Sequence, residues 1–168
     1  MSLTNQKDLP VIDDALGIQR QHLAIEDIPY EDILMSLEGL CAWVNHALRT
    51  APREPQVLVH CKQGTSRSGA VIVALLMRSQ SIDYESALAL VRKSRASIAP
   101  NSGFADQLRL WDKLGYSISE GVGGDGPRRT KPEYEDWRRD RGILLTRDEQ
   151  AKQEAVARAM EDMAIALG

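Results

Sequence analysis

The sequence predicts an α/β domain in which a central mixed, mostly parallel sheet is flanked by helices, with a C-terminal helical extension. Three observations predict it. Val57-Leu58-Val59 is a short, wholly apolar run rich in β-branched residues, the kind that fills a parallel strand covered on both faces. A polar, glycine-containing loop follows, then the nearly unbroken apolar stretch Gly69–Met77, so the region reads as strand, loop and buried helix. After Ser119 the composition shifts to a glycine-rich segment, a charged segment and a final apolar stripe at helical spacing.

Taken in order, Leu9-Pro10-Val11-Ile12 reads as a short strand that Pro10 keeps away from a central position. His22-Leu23-Ala24-Ile25 reads as another. It ends at Glu26-Asp27-Ile28-Pro29, where Pro29 holds Ile28 extended and opens a loop. Apolar residues at Ile33, Leu37, Leu40, Cys41, Val44 and Leu48 predict a helix from about Asp32 to Leu48, and Pro52 and Pro55 close it. A helix over Tyr84–Ser94 puts Ala87, Leu88 and Val91 on one face, with Asp83 as its N-cap. Ile98–Gly103 is a turn, and Phe104–Leu114 a helix closed by Gly115. Glu120–Pro127 reads as a flexible linker and residues 128–142 as a solvated charged segment. Thr146-Arg147-Asp148-Glu149 is a capping box, which predicts that the last helix starts there. The domain is thus expected over residues 1–118, a linker over 119–145 and a C-terminal helix over 146–168. The apolar stripe of that helix, Ala151, Ala155, Val156, Ala159, Met160, Met163 and Leu167, is expected to dock on the domain, on a partner or on a second copy.

Composition narrows the function. The 168 residues are 43% hydrophobic and 27% charged, enough for one domain with a real core plus an appendage. Lys+Arg number 21 and Asp+Glu 24, a net charge of -3, so no general attraction to nucleic acid or to an anionic membrane is expected. Any anion site must be local. Two cysteines exclude a disulfide-built scaffold and fit a reducing compartment. The opening Met1-Ser2-Leu3-Thr4-Asn5-Gln6-Lys7 has no apolar segment of the secretory type, and no apolar run is long enough to span a bilayer. A cytoplasmic or nuclear residence follows as an expectation.

The chemistry concentrates in His60-Cys61-Lys62-Gln63-Gly64-Thr65-Ser66-Arg67-Ser68-Gly69. This loop puts a cysteine at the carboxyl end of a strand, where ligands bind in open α/β sheets. It puts an arginine at the start of the next helix. Backbone N–H groups of such a loop can turn inward onto an anion, helped by the helix dipole. The same field favours a thiolate, which makes Cys61 a nucleophile at neutral pH. Arg67 offers a planar fork for two phosphoryl oxygens. Gly64 permits backbone geometry or close approach, and Ser68 can donate to the sulfur as it leaves. No Gly-Lys-Ser/Thr follows the glycine, so a nucleotide-binding P-loop is excluded.

His60-Cys61-x5-Arg67-Ser68 resembles the signature of the cysteine-dependent protein tyrosine phosphatases, and the flanking strand and helix resemble the dual-specificity branch. Ile98-Ala99-Pro100-Asn101-Ser102-Gly103-Phe104, followed by Gln107-Leu108, is similar to that family's Pro-Asn-x-Gly-Phe turn and last helix. Ile25-Glu26-Asp27 is similar to the strand and loop that carry its general acid. The resemblance covers about residues 22–116 and implies a protein tyrosine phosphatase-like fold. It implies that Cys61 attacks phosphorus and forms a phosphocysteine. Arg67 and the loop, Lys62 to Ser66, hold the phosphoryl oxygens. Asp27 protonates the leaving group, Ser68 assists the sulfur, and no metal or other cofactor takes part. Its substrates would be phosphoproteins, with phosphotyrosine, phosphoserine and phosphothreonine all accepted. Phosphatase chemistry on a phosphoinositide, RNA end or phosphoglycan, or a catalytically weak phospho-binding module, are the alternatives.

The supporting residues read less sharply. Glu26, Asp27, Glu31 and Asp32 form one acidic stretch, and solvated loop or cap roles suit three of them. Asp27 comes first because it directly follows the strand, and Asp32 second, with a helix cap as its other role. His60 is expected to orient the loop. Asn101 either bonds the phosphate loop or serves the turn. Lys62 either adds charge at the pocket mouth or is plainly solvated. Gln107 packs or caps, and Cys41 belongs to the core. The family opens with two or three strands and a helix before the acid-bearing strand, whereas about 21 residues precede His22 here, so part of the sheet is expected to be compressed or missing.

Overall fold

The computed structural model describes residues 1–4, 17–50, 55–120 and 129–166. The elements are helices Leu34–Thr50 (α1), Arg67–Gln80 (α2), Tyr84–Ser94 (α3) and Ser102–Lys113 (α4), a pair of two-residue strands, Ser119–Glu120 (β1) and Arg129–Thr130 (β2), and helix Pro132–Ala166 (α5). The chain divides into two compact units, Met1–Arg129 and Thr130–Gly168.

The expected central sheet is reduced, among the described residues, to a strip of parallel bridges. Ser2 pairs with His22 on one side and His60 on the other. Leu3 N–H donates to the His60 carbonyl at 2.9 Å and His60 N–H to the Met1 carbonyl at 3.1 Å. The Met1 ammonium reaches the Leu58 carbonyl at 2.6 Å. His22–Ile25 and Val57–Val59 are extended but form no ladder beyond these bridges. Burial of Val57–Val59 is also corrected, since Leu58 is 74% exposed and the two valines are half-buried. A strand is dry on both faces only where other elements cover both. Here Leu58 sits on the rim of an open cleft. The strand expected at Leu9–Ile12 lies outside the described residues.

The helices carry the core. The buried residues of α1 are Leu34, Leu37, Leu40, Cys41 and Val44, the expected stripe, while Leu48 is exposed. The apolar run after the loop forms α2, the most enclosed helix, which packs against α1, α3 and α4. Gly69 is there for room: a Cβ would meet Ile98 Cγ2 at 2.9 Å. Trp111, Phe104, Leu108 and Met77 are fully buried, each worth roughly 2–3 kcal/mol relative to exposure. The helix over Tyr84–Ser94 has the expected limits, and Asp83 accepts the Ser86 N–H at 2.7 Å as its cap. Gly115, at φ +60, takes the left-handed turn that ends α4.

The start of the last helix is corrected. It begins at Pro132, where a proline loses nothing by lacking an N–H, with Glu133 and Glu135 favoured by the dipole. Glu135–Arg138 and Asp136–Arg139 pairs and the Tyr134–Trp137 stack at 5.9 Å support these turns. The capping box therefore lies mid-helix, and Thr146 spends its hydroxyl on the Gly142 carbonyl at 3.0 Å. Residues 121–128, most of the expected linker, lie outside the described residues, as do most side chains of the expected apolar stripe.

Candidate active site

The loop between His60 and α2 folds around its cysteine. Backbone pairing of His60 with Met1 and Leu3 fixes the entry, and the Ala99 N–H donates to the Thr65 carbonyl at 3.1 Å to fix the middle. Gly64 turns at φ +70, a left-handed conformation that costs other residues about 1 kcal/mol or more. Its N–H then donates to Cys61 Sγ at 3.3 Å. The Ser68 hydroxyl lies 3.3 Å from the same sulfur.

Cys61 is 9% exposed. Burial pushes its thiol up, and this is the largest single influence. The Ser68 hydroxyl, with the backbone N–H groups of Ser68, Gly64 and Gln63, outweighs it and brings the thiol below its ordinary 9.0. These donors are the inward-turned amides that the sequence led us to expect, and they arrive at the sulfur itself.

Arg67 is the first residue of α2 and its side chain is 11% exposed. One terminal nitrogen donates to the Ile25 carbonyl at 3.1 Å, which ties the guanidinium to the end of the first extended segment. Its Nε lies 3.7 Å from Asp27 Oδ2, an ion pair beyond hydrogen-bond reach, and is a buried donor with no hydrogen bond among the described residues. A buried donor without a partner is a cost that a fold rarely carries without a use for it.

Asp27 is brought to the same place. Its Oδ1 accepts from Ser66 Oγ at 2.6 Å and from Asn101 Nδ2 at 3.0 Å. The Ser66 hydroxyl is buried, committed to Asp27 and makes no cap on α2, whereas the phosphate role expected of this loop rests on its backbone amides. Asn101 plays both parts considered for it. Its backbone N–H donates to Ser66 Oγ at 3.1 Å, and its Oδ1 caps α4 by accepting the Phe104 N–H at 2.9 Å. Asp32 takes the helix-cap role considered for it. It accepts the Met35 N–H at 3.2 Å at the head of α1.

Lys62 and Gln63 are exposed at the loop's rim, and Thr65 is half-buried. A cleft of about 690 Å³ runs from Cys61, Lys62, Gln63 and Gly64 past Leu58 to Ile72, Leu76, Leu90 and Val91. It does not include Asp27 or Arg67, so it flanks the reactive corner rather than forming it. Cys41 and Cys61 are both free thiols.

One contact was not foreseen, and Gln107 packs as expected while bonding backbone far away in sequence. Pro29, just past Asp27, packs so closely on α4 that a Cβ on Gly103 would lie 1.8 Å from the Pro29 carbonyl oxygen. Gln107, fully buried, accepts the Ile33 N–H at 2.9 Å and donates to the Glu31 carbonyl at 2.8 Å. The Pro-Asn-x-Gly turn was visible in the sequence, but its service to a loop more than 70 positions earlier was not.

Comparison with known proteins places the chain in a family. Residues 1–114 match the model of the dual specificity phosphatase catalytic domain. The chain is 36% identical over 105 residues to the Drosophila melanogaster dual specificity protein phosphatase MPK-4, covering 62% of this chain and 26% of the relative. It is 32% identical over 132 residues to mouse dual specificity protein phosphatase 19, covering 73% and 56%. It thus spans between a quarter and just over half of these relatives. The crystal structure of human DUSP28 superposes with a TM-score of 0.60 at 33% identity, over 67% of this chain and 75% of that one. With a buried cysteine that accepts from several donors, an Arg67–Asp27 pair tied to the same loop and the domain model matched over its first 114 residues, the chain belongs to the dual specificity phosphatase catalytic-domain family.

Proposed function

We propose that this protein hydrolyses phosphotyrosine and phosphoserine or phosphothreonine in proteins through a phosphocysteine intermediate. The convergence of donors on a sulfur held below its ordinary pKa carries the reading. The Cys61 thiolate attacks phosphorus, forming the S–P bond as the ester P–O bond breaks. The Arg67 fork and the loop amides hold the equatorial oxygens, placing fixed dipoles where charge develops. Asp27 delivers its proton to the departing alkoxide or phenoxide oxygen. A water then attacks phosphorus and gives a proton to Asp27, and the S–P bond breaks to return the thiolate, with the Ser68 hydroxyl receiving it as a donor. His60 anchors the start of the loop through its backbone. Family membership and the named activities of the relatives support protein substrates over phosphoinositide, RNA or glycan ones.

The test is turnover of p-nitrophenyl phosphate and of phosphotyrosine and phosphothreonine peptides by the full chain and by Cys61→Ser. All three are expected to be hydrolysed, with a loss on the order of 10⁴-fold or more in the variant. Equal turnover by the variant would overturn the reading.

A further inference from the structure

The hydrogen bonds around Asp27 have a single consistent direction. Asn101 Oδ1 is an acceptor for the Phe104 N–H, so its amide cannot flip, and Nδ2 is what faces Asp27. Ser66 Oγ accepts the Asn101 backbone N–H, so its only proton goes to Asp27 Oδ1. Both donors fall on one carboxylate oxygen. A protonated carboxylic acid has one O–H, and an oxygen already accepting from two donors is a poor place for it.

We propose that Ser66 and Asn101 are positioning residues for the acid. They occupy Oδ1 of Asp27 and so place the transferable proton on Oδ2, the oxygen that faces Arg67 and hence the phosphoryl group. This rests on the assignment of Asp27 as proton donor above and adds which atom gives the proton and what holds it there. The clamp extends along α4: Asn101 holds the carboxylate, Gly103 admits Pro29, and Gln107 fastens the Glu31–Ile33 backbone. The acid is thereby fixed to the loop of Cys61 through Ser66, a member of that loop, and to α4 through Asn101. Nucleophile and acid keep their register through one hydroxyl.

The consequence depends on the leaving group. p-Nitrophenolate departs without needing a proton, whereas phenolate and alkoxides need one. Loss of proton placement should therefore spare p-nitrophenyl phosphate and slow phenyl phosphate. The experiment compares kcat for these two esters in the full chain, Ser66→Ala, Asn101→Ser, Asp27→Asn and Ser66→Ala/Asp27→Asn. Asn101→Ser keeps a capping oxygen for α4 while removing the amide donor. General-acid catalysis is typically worth about 10²–10⁴-fold, so Asp27→Asn should lower the phenyl-to-p-nitrophenyl ratio by about 10²-fold and each positioning variant by about 10-fold. In the double variant, Ser66→Ala should leave the ratio of Asp27→Asn unchanged, because the acid it serves is gone. An equal loss on both esters, or a further drop in ratio in the double variant, would overturn the proposal while leaving the phosphatase reading intact. Absence of Cys61-dependent turnover in the unmodified chain would instead remove that reading and this one with it.

Discussion

Cys41 and Cys61 are both free and both buried, yet their thiols move in opposite directions. Burial is the largest influence at each and pushes each up. At Cys41, on the inner face of α1, it prevails. Arg78 pulls down and Glu38 pushes back up, and the thiol stays above its ordinary 9.0. At Cys61 the hydroxyl of Ser68 and the N–H groups of Ser68, Gly64 and Gln63 all point at one atom, and the balance reverses. Removal from water therefore does not make a cysteine inert. What separates a packing thiol from a nucleophile is how many donors aim at the sulfur, and a loop that turns at a glycine can aim several where a helix interior can aim none of its own.

The largest contrast should appear in alkylation. Iodoacetamide at neutral pH should modify Cys61 on the order of 10²-fold faster than Cys41, read site by site by mass spectrometry of peptides. Comparable rates would erase the distinction. A narrower cut follows from Ser68→Ala, which removes the first of the lowering influences and makes Cys61 more like Cys41. The midpoint of the alkylation rate against pH should rise, because the thiolate loses a hydrogen bond. An unmoved midpoint would assign the effect to the amides alone.

These contrasts also mark what the sequence could reveal. The loop from His60 to Gly69 was legible because its residues are adjacent, and the 3.6 period placed α3 at its limits and α1, α2 and α4 nearly so. The pairing of Met1–Leu3 with His60 was hidden, because a bridge between residues 58 positions apart leaves no local pattern, and the two segments consequently read as a fuller sheet than the bridges make. Ser66 was read only as part of a loop expected to hold phosphate. Its hydroxyl instead meets Asp27, 39 positions away, a partner that only the fold supplies. The start of α5 failed for a different reason. Pro132 and the Thr146 capping box are both sound start signals, and nothing local says that the second falls inside a helix already under way.

The smallest effect is on stability, and there the two cysteines differ in sign. Cys61 has a folded pKa below its unfolded value, so its thiolate contributes fully above 9.0 and the contribution is lost as pH falls from there through the folded value. Cys41 has the reverse. Its thiol leaves stability intact below 9.0, and stability falls as pH climbs from there toward the raised folded value, because the unfolded chain gives up the proton first. Urea unfolding midpoints of Cys41→Ala should therefore lie below those of the natural chain at neutral pH, by a stability of about 1 kcal/mol for the lost packing. The gap should shrink above 9.0, where the variant lacks the alkaline penalty. Turnover should be unchanged, since Cys41 sits on α1 and takes no part in the loop. A gap that widened with alkalinity would mean that Arg78 overcomes burial at Cys41.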